Sequence, residues 1–272
     1  MKEDRLALRI AFFYIAISGL VMFVLNFCFG YPYGDYRMLK AIISFEVLMF
    51  VYAILAYRMY FKNHGVLKLE IPRLTPTFII FSLGIVATFI VFLSTGDFAG
   101  NYELFISMVL FALFISMTEE LIFRGIILEV FLKKYSILSA VFLSSLVYAC
   151  TDIVNILGGV SFKEMIMQFL EAFVLGILLA CFAIQIKNIV PIMMLHWVWD
   201  LMAISFVRIE SKAGLGILII SILGIVSAFF LLLKLMHTSP TKNVIESSSN
   251  QKGTKSSTNT KVNEETNKEI KW

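Results

Sequence analysis

The sequence predicts an all-α fold: a polytopic transmembrane helical bundle of about eight spans with a disordered cytoplasmic tail. Two observations carry this. Of 272 residues, 59% are hydrophobic and only 15% charged, whereas a soluble domain is nearer half apolar and a quarter charged. The apolar residues also come in blocks of about 20, the length that crosses a bilayer as a helix. A transmembrane β-barrel would need short alternating segments, and the sequence has none.

Taken in order, Met1–Arg9 carries Lys2, Arg5 and Arg9 and is expected to stay cytoplasmic. Span one is expected over about 10–29. It is too long for a typical signal peptide and is followed by more spans, so it reads as retained. Gly30–Asp35 is a turn-rich exit with two interfacial tyrosines. Span two covers about 39–61 and contains Glu46; a basic loop then runs from Lys62 to Thr75. Span three covers about 76–94 and starts near Pro76. Span four runs from about Leu104 to Leu132 and is closed by Lys133 and Lys134. Span five covers about 136–157 and ends at Gly158-Gly159; span six covers about 163–186 and contains Gln168 and Glu171. Span seven starts near Pro191, a favoured first-turn position, and reaches about Val207. Span eight covers about 214–236.

Eight spans place both termini on one side, and the Lys/Arg bias puts that side in the cytoplasm of a cell-membrane protein. Residues 1–237 are thus expected to form one membrane domain. Residues 238–272, rich in Ser, Thr, Asn, Lys and Glu, cannot bury a core and are expected to be disordered. The net charge of +4 would suggest nucleic acid in a soluble protein. Here it marks cytoplasmic loops and tail, so no nucleic-acid partner is expected. Cys28, Cys150 and Cys181 fall inside apolar segments without C-x-x-C spacing, which argues against disulfides and a zinc knuckle.

Against this apolar background, Glu119, Glu120 and Arg124 stand inside span four. Each charge costs roughly 2.5–3.5 kcal/mol on insertion before any pairing. Glu120 and Arg124 are spaced i, i+4 and can neutralise each other, which leaves Glu119 in need of a partner or a proton. Tyr148 and Asp152 in span five, and His196 and Asp200 in span seven, repeat the i, i+4 spacing. Intramembrane ionisable groups face the bundle interior or a wet cavity, so three such faces are expected to converge on one site.

Two chemistries are open there. A carboxylate in a low-dielectric pocket can accept a proton from water, with His196 donating to a developing oxyanion and Asp200 orienting the imidazole. The same Glu, His and Asp are also zinc ligands, so the site takes either no cofactor or one divalent metal. The H-E-x-x-H helix of common zinc proteases is not present in the sequence.

These residues also carry a resemblance. Glu119-Glu120-Leu121-Ile122-Phe123-Arg124 fits E-E-x-x-x-R, and His196-Trp197-Val198-Trp199-Asp200 fits H-x-x-x-N/D. Tyr148-Ala149-Cys150-Thr151-Asp152 sits between them, in the place of an F-x-x-x-H motif. In this order the chain resembles the CPBP family of intramembrane proteases, which comprises CAAX proteases and bacteriocin-processing enzymes and is also called Abi. The resemblance covers about 105–207. It implies an endopeptidase in which Glu119 activates water and His196 and Asp200 help form the oxyanion side. It also implies a membrane-bound substrate, such as a prenylated protein or a pheromone or bacteriocin precursor.

The departure from the family lies at the second motif, where Asp152 replaces the His and Tyr148 the Phe. An Asp beside Glu119 would make a like-charge pair that cannot both ionise cheaply. The alternative reading is therefore a non-catalytic scaffold or regulator of the same family that binds a partner membrane protein. A geometric expectation follows from the span ends. Glu119 and Asp152 lie ~21 Å and ~24 Å from the inner ends of their spans, but His196 only ~12 Å, at ~1.5 Å per residue. One site therefore requires the loop around Lys187–Val190 to dip inward, or the helices to be offset.

Blander roles remain for the other polar and aromatic residues. Glu46 and Glu171 are expected to be structural or to line the cavity, and Trp197 and Trp199 to pack or anchor at the interface.

Overall fold

The computed structural model of the chain describes residues 2–61, 72–98, 102–206, 209 and 211–238. Among these residues the regular structure is all helical. The expected all-α architecture is therefore the one observed. The helices are α1 (Lys2–Phe23), α2 (Tyr36–Ala56), α3 (Pro76–Thr95), α4 (Tyr102–Glu119), α5 (Glu129–Lys134), α6 (Ile137–Ile153), α7 (Phe162–Ile186), α8 (Val190–Phe206) and α9 (Gly214–Thr238). Wide-turned π segments extend α1 over Val24–Cys28 and α2 over Tyr57–Phe61, and a longer one, Glu120–Leu128, joins α4 to α5. A 3₁₀ turn, Val154–Gly158, ends α6. The helical body falls in the unit Met1–Leu233, and a second unit begins at Lys234. Apart from Thr238, the expected tail lies outside the described residues, as does most of the basic loop that starts at Lys62.

Helix starts follow local chemistry. Asp35, Thr75 and Ser136 accept hydrogen bonds from Arg37 N, Phe78 N and Ser139 N, capping α2, α3 and α6. Ser161 and Glu164 form a capping box at the start of α7. Arg37 holds the Asp35 carboxyl below the usual carboxylate range through a side-chain hydrogen bond.

Seven stretches are long and apolar enough to cross a membrane: Glu3–Cys28, Tyr36–Met59, Pro76–Thr95, Tyr102–Lys134, Ile137–Gly158, Phe162–Ile186 and Gly214–Leu235. They include seven of the eight expected spans. The other, expected over about 191–207, is α8, with 17 residues. At ~1.5 Å per residue it is about 26 Å long, short of a ~30 Å hydrocarbon core. Many large side chains on the membrane-length helices point outward, among them Phe12, Ile80, Leu215 and Phe230. That is the expected face of a helix solvated by lipid.

The position of α8 answers the question of depth. The Ile189 side chain, one residue before α8, lies 3.5 Å from where a Cβ on Gly125 would stand. Gly125 directly follows Arg124, well inside the long Tyr102–Lys134 rod. The α7–α8 connection therefore carries the chain inward before α8 begins. Lys187 turns it in the left-handed region at φ 56°, and Asn188 Oδ1 accepts from Val190 N at 2.8 Å. His196, shallow by residue count, is thereby brought level with the acidic pair. In the core, α8 packs along α4, α2 along α4, and α6 along α7.

Candidate active site

Four elements meet around His196: the end of α4, the π segment after it, α6 and α8. The π segment begins at Glu120, in the middle of the motif. Stretches of this kind widen the turn locally and recur at functional sites. Glu120 Oε1 lies 2.8 Å from Arg124 Nη1, and both side chains are almost wholly buried. The expected i, i+4 pair is thus present. Arg124 Nη2 also donates to Gly176 O at 3.4 Å, and the guanidinium lies 4.3 Å from the centre of the Tyr148 ring.

The same Glu120 oxygen binds the imidazole. His196 Nδ1 is 2.8 Å from Glu120 Oε1, and His196 has no exposed surface. A carboxylate shared by Arg124 and His196 compensates two buried donors at once. With Nδ1 committed to Glu120, Nε2 faces the remaining groups. It lies 3.1 Å from Tyr148 Oη, 3.3 Å from Asp200 Oδ1 and 3.9 Å from Glu119 Oε2. Glu119 is 6% exposed, so it is a buried acid that points at the free side of the imidazole.

Asp200 is fixed from α4 as well as α8. Ser116 Oγ donates across to Asp200 Oδ2 at 2.7 Å and lies 2.6 Å from Ala112 O. Ser116 stands one helical turn before Glu119, and a lone Ser in an apolar run gave no sequence signal that it would reach Asp200. The Tyr148 hydroxyl is the second unforeseen contact. Its position was visible in the second motif, but its hydrogen bond to His196 was not.

Five of the six candidate residues, Glu119, Glu120, Arg124, His196 and Asp200, converge here, and the sixth lies to one side. The Asp152 carboxylate accepts from Asn155 Nδ2 at 3.2 Å, and the same amide nitrogen donates to Gln168 Oε1 at 3.0 Å. The carboxylate that crowds Glu119 is that of Asp200, whose ligand atom lies within 4.8 Å of those of Glu119 and His196; Asp152 is not in that group. Glu46 on α2 is 2% exposed. It is therefore an acid held inside the helical body rather than on its surface. Trp197 packs, with Nε1 donating to Val109 O at 3.2 Å.

Glu119, His196 and Asp200 each offer a ligand atom, all within 4.8 Å of one another. One nitrogen and two oxygens make a donor set suited to a catalytic divalent cation. Glu120 behind Nδ1 supplies the carboxylate that orients a ligating His. The residues therefore fit a metal.

Comparison with known proteins gives one match. Residues 101–202 match the family model described as Rce1-like, type II CAAX prenyl endopeptidase. This stretch contains all three motifs, so the match bears out the resemblance to the CPBP family. No curated protein and no solved structure matches the chain.

Proposed function

We propose that this multi-pass membrane protein is an intramembrane endopeptidase that hydrolyses a peptide bond of a membrane-associated protein or peptide. The observation that carries this reading is Glu119 Oε2 at 3.9 Å from His196 Nε2, with the other imidazole nitrogen held 2.8 Å from Glu120. The match of residues 101–202 to a CAAX endopeptidase family supports the same reaction class.

In this reading Glu119 accepts a proton from a water molecule as the water oxygen bonds to the scissile carbonyl carbon. The Tyr148 hydroxyl and the His196 imidazole face the same space and stabilise the developing oxyanion. Glu119 then returns the proton to the leaving amine as the C–N bond breaks, giving a carboxyl and an amine product. Glu120 and Arg124 act through His196, fixing its ring orientation. In the other arrangement open to these atoms, Glu119, His196 and Asp200 would instead hold a divalent cation, which would supply Lewis acidity. Substrates consistent with this chemistry are prenylated proteins and pheromone or bacteriocin-type precursors. The protein is placed in the cell membrane on this reading, and the Lys/Arg bias of the loops supports both termini in the cytoplasm.

The test is processing in a deletion strain complemented with wild type, Glu119→Ala and Asp152→His, with abundance followed by immunoblot. Loss with Glu119→Ala at normal abundance, and function with Asp152→His, support the peptidase. Equal behaviour of all three would mean a scaffold that keeps the family's residues without its chemistry.

A further inference from the structure

Ser107, Thr118, Ser145 and Ser221 lie in membrane-length helices, and each donates to the carbonyl four residues earlier, at 2.7 to 2.9 Å. That back-bond is the usual way to satisfy a hydroxyl within a helix. Ser116 does more. It has no exposed surface, and its Oγ lies 2.6 Å from Ala112 O and 2.7 Å from Asp200 Oδ2 on α8. A hydroxyl has one proton, and a carboxylate is a stronger acceptor than an amide carbonyl, so the proton is given to Asp200.

Asp200 needs that partner. Its side chain is 19% exposed, beside an imidazole with no exposed surface. A carboxylate at such an edge turns away from the imidazole unless something holds it. Ser116 takes Oδ2, which leaves Oδ1 facing His196 Nε2 at 3.3 Å. Ser116 and Glu119 are spaced i, i+3 on α4, so one helix sets both the reacting acid and the group that holds Asp200. The hold is not needed to seat α8. Trp197 Nε1 donates to Val109 O at 3.2 Å, Ser205 Oγ donates to Met108 Sδ at 3.3 Å, and Leu201 packs in one core with Met108 and Ala112. Loss of the Ser116 hydroxyl therefore frees a carboxylate rather than a helix.

We infer that Ser116 is a positioning residue of the site: by holding Asp200 Oδ2 it aims Oδ1 at His196 Nε2, and so fixes the free side of the imidazole beside Glu119. The purpose of this link rests on the peptidase reading, and its geometry can be tested without it.

The experiment reads His196 directly by nitrogen NMR, on the full chain in lipid nanodiscs at one fixed pH. His64 and His237 are replaced by Gln, so that nitrogen-15 histidine labels a single imidazole. Ser116→Ala is expected to move the Nε2 resonance and to leave Nδ1, held by Glu120, in place. Ser116→Thr keeps the hydroxyl and is expected to restore the wild-type Nε2 position. In an Asp200→Ala background, adding Ser116→Ala is expected to move neither resonance further, because a residue that acts through Asp200 has nothing left to act on. Should the extra methyl of Ser116→Thr prevent accumulation, the Asp200→Ala comparison decides. Processing in membranes at matched abundance is expected to follow the same order. Ser116→Ala lowers it by about tenfold, the worth of a hydrogen bond to a charged group, and adds nothing to Asp200→Ala. The positioning role is refuted if Ser116→Ala leaves Nε2 unmoved, moves Nδ1 as far as Nε2, or adds its full effect to that of Asp200→Ala. If the resonances behave as expected while the wild-type chain processes no peptide, the peptidase reading fails and the hold on Asp200 stands. Processing by the wild type with an unmoved Nε2 in Ser116→Ala overturns the role of Ser116 alone.

Discussion

His196 Nδ1 and Arg124 Nη1 both lie 2.8 Å from one oxygen, Oε1 of Glu120. The motif's second acid is therefore the anchor of the site, and its first acid, Glu119, is left for chemistry. Glu120→Gln keeps the volume and removes the charge that holds two buried donors. Breaking one partner of a buried pair costs about 3–5 kcal/mol. The variant is expected to unfold earlier in detergent and to accumulate poorly. Glu119→Gln is expected to match wild type in both respects while losing processing. Thermal unfolding of the two purified variants side by side checks this, and equal stability would remove the anchor role.

Tyr148→Phe isolates one hydroxyl. The ring stays to cover Arg124, 4.3 Å from its centre, and to pack edge-on against Phe123 at 5.4 Å. Only the 3.1 Å contact to His196 Nε2 is lost. A net hydrogen bond is worth about 0.5–1.5 kcal/mol, so stability is expected to fall by no more than that. Loss of an oxyanion donor costs more, about 100-fold or greater in turnover. A large fall in processing rate with little change in unfolding temperature identifies the hydroxyl as part of the chemistry. A fall in stability alone assigns it to packing.

Asp152 and Asp200 separate in the same way. Asp200 faces His196 at 3.3 Å and accepts from Ser116, whereas Asp152 accepts from Asn155. Asp200→Ala is expected to lower turnover by about 100-fold or more, as for loss of an oxyanion donor, because it releases the His196 imidazole. Asp152→Asn retains a polar side chain and is expected to lower it by less than about tenfold. Rates from membranes with matched protein levels decide this, and the reverse order would place Asp152 at the reacting atoms.

Much of this site was legible in the sequence because charge is expensive in an apolar span. Glu119, Glu120, Arg124, His196 and Asp200 stood out for that reason alone, and their spacing placed them on defined helix faces. What spacing could not give was depth. The residue count set His196 too shallow because nothing in Lys187–Ile189 announces that the chain turns inward there before α8 starts. The same inward start leaves α8 shorter than the seven membrane-length helices, which composition across 191–207 does not reveal. Ser116 was invisible for the opposite reason: a neutral hydroxyl costs little in a helix, where it bonds back to the preceding turn. The wide turn over Glu120–Leu128 likewise has no sequence mark beyond Gly125.

Gly176 makes a last prediction, because one substitution at two glycines should have opposite effects. A Cβ on Gly176 would stand 3.0 Å from Ser145 Cβ and from Tyr148 Cδ1, and 3.2 Å from Ser145 Cα. Those contacts are too close, and one involves backbone, so α6 must move away from α7. A Cβ on Gly224 would meet Phe81 at 3.4 Å and Leu178 at 3.6 Å, which is ordinary contact. Both glycines lie within helices, where Ala is favoured over Gly by about 1 kcal/mol. Gly224→Ala is therefore expected to be neutral or to stabilise the protein. Gly176→Ala is expected to destabilise it by about 1–3 kcal/mol through overpacking. It is also expected to reduce processing, because Tyr148 carries the strain to its hydrogen bond with His196 and the Gly176 carbonyl accepts from Arg124. Unfolding temperatures and processing rates of the two variants test this together. If Gly176→Ala proves as stable and as active as Gly224→Ala, the close approach of α7 to Tyr148 does not hold the site.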